Sequence, residues 1–212
     1  SGRLVANREV VGATRGELAE IMVGRPVVPA QAGPNTAGEV ALKLDDVTAR
    51  KGTQKLNKIS LRVKSGQTTG IAGVSGNGQN LLADVVAGLV ELDEGSLSID
   101  GQQIGTFSPA EMVRRGVARI PEDRQSEGLV GDMTVTENLI SESYRSSRFS
   151  QFGIIDWNRA RKFALQVIDD YAVKCPGPEA PVRQLSGGNM QKLILGRVMS
   201  NKPVVILANQ PT

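Results

Sequence analysis

Apolar residues alternate with polar ones over residues 59–63 and 95–99, and each alternation predicts a strand, as does the mostly apolar run 40–44. Successive side chains on a strand point to opposite faces, so a period of two marks a sheet with one face on a core. Residues 68–72 read as a further short strand, which runs into a series of glycines. The period then changes. Leu81, Leu82, Val85 and Val86 share one face of a helix expected over residues 80–89. Ser108-Pro109-Ala110-Glu111 has the order of an N-cap, a first-turn proline and an acidic third position, and opens a second helix. Residues 117–121 form another short strand. From 122 to 185 the chain becomes largely helical, with helices expected over 136–144 and 156–171, a polar loop between them and a Pro/Gly-rich loop over 175–181. Residues 189–199 are helical, Pro203 stops that helix, and the apolar run 204–207 reads as a buried, central strand. This order predicts an α/β fold: antiparallel strands, a glycine loop and helix, a helical insert, then a helix and a buried strand.

The first 38 residues have a different character. A short strand and turn are expected over 3–6 and 9–12. Thr14 with Glu17 three residues on has the form of a capping box, and Leu18, Ile21 and Met22 fall on one helical face. Pro26, Pro29, Gly33, Pro34, Asn35 and Gly38 make residues 26–38 a linker.

Composition narrows the function classes. The 212 residues suffice for one domain with an appendage. Twenty-five basic residues face 22 acidic ones and are scattered, so no basic face for nucleic acid is expected. Cys175 is the only cysteine, which excludes a disulfide within the chain. There is no histidine, which excludes histidine acid–base catalysis and histidine metal ligands. No secretory signal is seen, and no apolar run approaches the roughly 20 residues of a membrane-spanning helix. The chain starts without Met and stops inside a motif, so it is expected to be a piece of a longer protein.

Three motifs carry candidate chemistry. Gly73-Val74-Ser75-Gly76-Asn77-Gly78-Gln79-Asn80 sits between a strand and a helix, where a phosphate loop reads G-x-x-x-x-G-K-[ST]. Backbone N–H groups of such a loop cradle phosphate, Lys reaches the terminal phosphates and Ser/Thr binds Mg²⁺. Gly73, Gly76 and Gly78 keep the permissive backbone, but Gln79 stands in the lysine's place and Asn80 in that of the Ser/Thr. Leu185-Ser186-Gly187-Gly188-Asn189 precedes the 189–199 helix. The run Val204 to Leu207 ends in Ala208-Asn209-Gln210-Pro211-Thr212.

Taken together, in this order and spacing, the three motifs resemble the ATP-binding cassette of ABC transporters, over residues 39–212. The resemblance implies a P-loop NTPase fold of the ABC type, with an antiparallel β-subdomain and a helical subdomain over about 122–195, incomplete at its C-terminus. Residues 73–80 then match the Walker A loop and 185–189 the signature loop, with Asn189 in place of the usual Gln. Asn209 and Gln210 match the Asp-Glu of Walker B, where the acids hold Mg²⁺ and polarise the attacking water. Neither amide can act as a base, so no catalytic residue of this half is intact and no metal site is expected in it. Glu122-Asp123-Arg124 stands where many cassettes place the Q-loop, with Glu122 for Gln. Around Val47 to Gly52 no aromatic is present to stack on adenine, and Arg50 reads as part of a solvated loop.

The Pro-Glu-Asp-Arg run, the Gly-Asn-Gly-Gln loop and Asn-Gln-Pro-Thr are similar to the second cassette of tandem ATPases that serve bacterial carbohydrate and nucleoside importers. Residues 1–25 are similar to the tail of the first cassette. The resemblance implies a peripheral protein on the cytoplasmic face of the membrane. Its partners would be the first cassette of the same polypeptide, transmembrane permease subunits and, indirectly, a solute-binding protein, with no nucleic acid. ATP at this half's own site would be weakly held or absent, with Mg²⁺ at the partner site. Ser186 to Asn189 would be donated to an ATP on the partner cassette. The alternative is a structural or regulatory pseudo-ATPase half that binds no nucleotide. A soluble ABC protein acting on nucleic acid should carry a charged linker, and residues 26–38 contain no Lys or Arg.

Overall fold

A computed structural model describes residues 6–7, 12–14, 16–17, 20–21, 36–74 and 76–209. The chain divides into two units, Ser1–Thr36 and Ala37–Thr212. In the first, the expected capping box forms: Thr14 N donates to Glu17 Oε2 at 3.0 Å, and Glu17 N to Thr14 Oγ1 at 3.3 Å. Most of the expected strand and turn over 3–12, positions 18 and 22, and the linker up to residue 35 lie outside the described residues.

The second unit opens with an antiparallel sheet of β1 (Val40–Lys51), β2 (Gln54–Lys64), β3 (Glu94–Ile99) and β4 (Gln102–Gln103), in the order β2-β1-β3-β4. All three expected strand segments lie in it, and 40–44 and 59–63 prove to be parts of longer strands. β1 is central because it has the most to bury: Ala41, Leu42, Leu44, Val47, Thr48 and Ala49 are all shielded from water. Helix α1 (Gln79–Val86) covers this sheet with Leu81, Leu82, Val85 and Val86. Each fully buried Leu or Val here contributes about 1.5–3 kcal/mol. α1 ends at Ala87, and Gly88 follows at φ 73°, a left-handed terminator that cuts the expected 80–89 helix short.

Helix α2 (Pro109–Arg114) starts as expected, with the Ser108 hydroxyl accepting from Glu111 N at 3.2 Å. Strand β5 (Val117–Ile120) pairs in parallel with β8 (Val205–Ala208), from Val117 opposite Val205 to Ile120 opposite Ala208. This pair links two cores. Val117 and Val205 belong to the core under the antiparallel sheet, while Ala118 and Ile120 belong to a helical core.

The helical core is built from α3 (Val135–Ile140), α4 (Trp157–Asp170) and α5 (Gly187–Ser200). α3 has a complete capping box, Thr134 N to Glu137 Oε2 at 2.7 Å and Glu137 N to Thr134 Oγ1 at 3.1 Å. α4 is capped by Asp156, which accepts from Arg159 N at 3.0 Å. α4 and α5 meet at Gly196, where a Cβ would lie 2.4 Å from Val167 Cγ1. The absent side chain is what lets the two helices approach. Between α3 and α4 a small hairpin of β6 (Ser150–Gln151) and β7 (Ile154–Ile155) turns at Phe152 and Gly153, in a stretch expected as a polar loop.

Four expectations are corrected. Residues 68–72 form no strand: they are exposed, and no ladder partner is found for them among the described residues. Gly70 and the flanking Gly66 and Gly73 offer little side-chain packing to hold a strand without a neighbour. The helix expected over 136–144 runs only over Val135–Ile140, because the serines that follow turn the chain, with Ser143 N bonding Ile140 O at 2.8 Å. β8 is not buried on both faces: Ile206 is 43 % exposed, since β5 is its one paired neighbour among the described residues. The helix expected from 189 begins two residues earlier, at Gly187.

Candidate functional site

The glycine loop turns sharply before α1. Asn77 N bonds Val74 O at 3.1 Å, Gly76 has φ 90°, and Gly78 is the N-cap of α1 at φ 95°. A left-handed N-cap needs glycine, which explains Gly78 without reference to any ligand. Gln79 does not point away from the loop. Its Nε2 donates to Val74 O at 3.3 Å, and a Cβ on Gly73 would lie 2.2 Å from the same nitrogen. Asn80 is exposed, and Ser75 lies outside the described residues. Gly73, Asn77, Gly78 and Gln79 line a shallow groove with Leu56, Ile59, Ile71 and Leu82.

Asn209 continues the parallel ladder beyond β8, its N–H donating to Ile120 O at 3.0 Å. That bond sets Asn209 beside the point where the chain leaves β5 for Pro121 and Glu122. Gln210 lies outside the described residues. No cluster of acidic or cysteine side chains able to hold a metal occurs among the described residues.

Residues 122–124 lead into an ordered turn. Glu122 is exposed, but Asp123 caps a π-helical turn, Arg124–Gly128. Its Oδ1 accepts from Gln125 N at 2.8 Å and Ser126 N at 3.2 Å. The Ser126 hydroxyl and these two backbone N–H groups hold the Asp123 carboxyl below the usual carboxylate range, since each bond favours the ionised form. Arg124 reaches the start of α5: Nη1 lies 3.3 Å from Gly187 O and 3.3 Å from Gln191 Oε1. Glu122, Asp123, Arg124, Gln125 and Glu127 line one open cavity together with Gly187 and Met190.

At the start of α5, Ser186 is the N-cap residue, yet its side chain caps nothing. Its hydroxyl accepts instead from Asn189 Nδ2 at 2.9 Å, while Asn189 Oδ1 accepts from Lys174 N at 2.9 Å. Asn189 thereby ties the loop to the chain after α4. Gly187 and Gly188 are exposed and have no positive φ. A Cβ on Gly188 would meet nothing within 4 Å, and one on Gly187 only Arg124 Nη1 at 3.9 Å. Nothing in the packing of the described residues requires glycine at either position. The structure thus joins residues 122–124 to residues 186–189, while the glycine loop lines a different cavity. The π-turn and its arginine contacts were missed in the sequence; the Asp-x-x-Ser spacing of Asp123 and Ser126 is the signal that could have found them.

The family model described as ABC transporter matches residues 56–212, most of the chain. The chain belongs to the ABC transporter ATPase family. It is 36 % identical over 214 residues to the guanosine import ATP-binding protein NupO of Bacillus subtilis, covering 100 % of this chain and 42 % of that protein. It is 39 % identical over 204 residues to the glucose import ATP-binding protein TsgD13 of Haloferax volcanii, covering 94 % of this chain and 37 % of that one. The chain thus spans about two fifths of the length of these relatives. Among solved structures, a dimeric ATP-binding cassette in a post-hydrolysis state bound to ADP and phosphate superposes with TM-score 0.61 at 26 % identity, covering 81 % of this chain and 74 % of that one. The fold is therefore that of an ABC-type P-loop NTPase, with its antiparallel and helical subdomains. Among the described residues no helix is long and apolar enough to cross a membrane.

Proposed function

We propose that this chain is the second half of a tandem-cassette ATPase that powers uptake of a simple sugar or nucleoside, and that its main contribution is the signature loop of residues 186–189. Residues 39–212 are the second cassette, 26–38 the linker, and 1–25 the tail of the first. ABC cassettes work as head-to-tail pairs, each site taking a phosphate loop from one half and a signature from the other. Ser186 to Asn189 complete a site whose ATP and Mg²⁺ are held by the first cassette. This half's own site, with Gln79, Asn80, Asn209 and Gln210 in the working positions, holds nucleotide weakly and does not turn it over. Permease subunits at the cytoplasmic face receive the motion through residues 122–124, and a solute-binding protein acts indirectly.

The observation that carries this reading is the contrast between the two loops. Gly187 and Gly188 stand open at the positive end of a 14-residue helix, with no acidic residue in its first turn and space where a side chain would go. Gln79 is instead engaged by its own loop. That the relatives are more than twice as long as this chain agrees with a partner cassette in the same polypeptide.

The test is ATP turnover by the intact protein in its transporter complex. Gly187→Asp should collapse hydrolysis, and Gln79→Ala should leave it near normal. Turnover that survives Gly187→Asp would make this half a scaffold. The Gln79 contact also favours a second reading, a half that binds no nucleotide at all, and a Mg-ATP melting shift in this half separates the two.

A further inference from the structure

Arg124 stands in an electrostatically poor place. A guanidinium beside the first turn of a helix opposes the positive end of the helix dipole. Its position is therefore not explained by the stability of α5. What it does geometrically is bind the carbonyl of Gly187, the first residue of that helix, and the Gln191 side chain one turn on, both at 3.3 Å.

The far end of the same π-turn is held by the same helix. Arg197, 6 % exposed, donates from Nη2 to Gly128 O at 2.9 Å, and its Nε lies 3.2 Å from Glu142 Oε1. Between the two arginines Gly128 packs so closely that a Cβ would lie 2.7 Å from Ile194 Cδ1. Residues 187, 191, 194 and 197 recur at helical spacing, so the turn lies along one stripe of α5. Asp123 fixes its entry through two backbone bonds.

From this arrangement we infer that Arg124 is a positioning residue: it latches the coupling segment to the signature loop, so that residues 122–128 and the start of α5 move as one piece. The inference rests on residues 186–189 serving as a donated signature. Arg197 and Ile194 hold the turn to the body of the helix, but only Arg124 reaches the loop end. Without it, a displacement of residues 122–124 is absorbed between the turn and Gly187. With it, the displacement reaches the N–H groups that meet the partner's ATP.

The experiment compares Arg124→Ala, Arg124→Lys and Gly187→Asp in the intact transporter complex, reading kcat and KM for ATP separately. Arg124→Ala should lower kcat about tenfold with KM changed less than about twofold, because ATP docks first on the other cassette and only the closing geometry is lost. Arg124→Lys should recover part of kcat, since an ammonium can still bond both oxygens. A second readout needs no turnover. With Cys175→Ser, spin labels at Gln125→Cys and Met199→Cys should give one narrow distance distribution, the same with and without ATP. Arg124→Ala should broaden it. If Gly187→Asp abolishes turnover while Arg124→Ala keeps the parental kcat and the narrow distribution, the latch is wrong and the donated signature stands. If Gly187→Asp leaves turnover intact, the donated signature fails, and the functional role of Arg124 fails with it.

Discussion

Gln79 Nε2 donates to the Val74 carbonyl oxygen at 3.3 Å, so the amide in the place of a phosphate-loop lysine is bonded within its own loop. A lysine there would bring a positive charge to the nest of N–H groups, and phosphate binding depends on that charge as well as on the backbone. Gln79 supplies no charge, and one of its amide donors is taken up by the loop's own carbonyl. Restoring the pair with Gln79→Lys and Asn80→Ser should increase the stabilisation of this half by Mg-ATP. Ligand about a hundredfold above its Kd adds about 2.7 kcal/mol, and each kcal/mol moves the melting temperature of a domain this size by about 2–4 °C. Scanning calorimetry of both forms with and without Mg-ATP checks it. Equal shifts would mean that the side chain at position 79 does not limit binding.

The cap on the π-turn makes a pH prediction. Hydrogen bonds from the Ser126 hydroxyl and from the Gln125 and Ser126 N–H groups lower the Asp123 pKa from its ordinary 3.8. A group whose folded pKa is depressed stabilises the fold fully above its unfolded value and loses that contribution as pH falls through the folded value. The turn should thus stay capped at neutral pH and loosen only below about pH 3.8, on the acid side of the ordinary Asp value. An NMR titration of the Asp123 carboxyl follows this directly. Ser126→Ala should move its midpoint upward, and a midpoint that stays put would show that the hydroxyl plays no part.

Gly196 sets how closely α4 and α5 approach. A methyl there would stand 2.4 Å from Val167 Cγ1, so Gly196→Ala must push the helices apart or force Val167 from its rotamer. Overpacking of this kind costs about 1–3 kcal/mol. Val167→Ala removes the clashing carbon but also opens a buried site of its own. The double variant should therefore lie closer to the parent than the two single losses summed. Urea midpoints of all four proteins measure the coupling, and strict additivity would place the Gly196 effect elsewhere.

How much of this was legible in the sequence follows from how local each signal is. Ser108-Pro109 and Thr14 with Glu17 are short-range caps, and both form where their spacing placed them. The alternation over 59–63 and 95–99 reports one-sided burial, and with the apolar run 40–44 it led directly to the antiparallel sheet. Residues 68–72 carry the same strand-like composition, but pairing needs a neighbour distant in sequence, and composition says nothing of it. The turn at Phe152 was hidden for a related reason: its φ of 50° is a backbone state that a phenylalanine rarely adopts, so Phe152-Gly153 gives no conventional turn signal. The loops at 73–80 and 186–189 were legible as motifs. That Gln79 turns inward, and that Arg124 reaches Gly187 across 63 positions, depends on side-chain geometry.

Gly187 and Gly188 offer a way to separate folding from function. Neither has a positive φ, and a Cβ would meet nothing nearer than Arg124 Nη1 at 3.9 Å. Both lie in the first turn of α5, where alanine is a better helix former than glycine and restricts the unfolded chain. Gly188→Ala should therefore raise stability by about 0.4–1 kcal/mol. If the loop meets a partner's nucleotide, the same methyl occupies the space that the phosphate must approach. Turnover by the intact transporter should then fall even as the urea midpoint rises. Conservative loss of a positioned contact costs about tenfold or more in rate. Opposite movements of stability and turnover would be hard to obtain from a glycine needed for folding. A variant that is more stable and fully active would remove the reason for leaving this helix end bare.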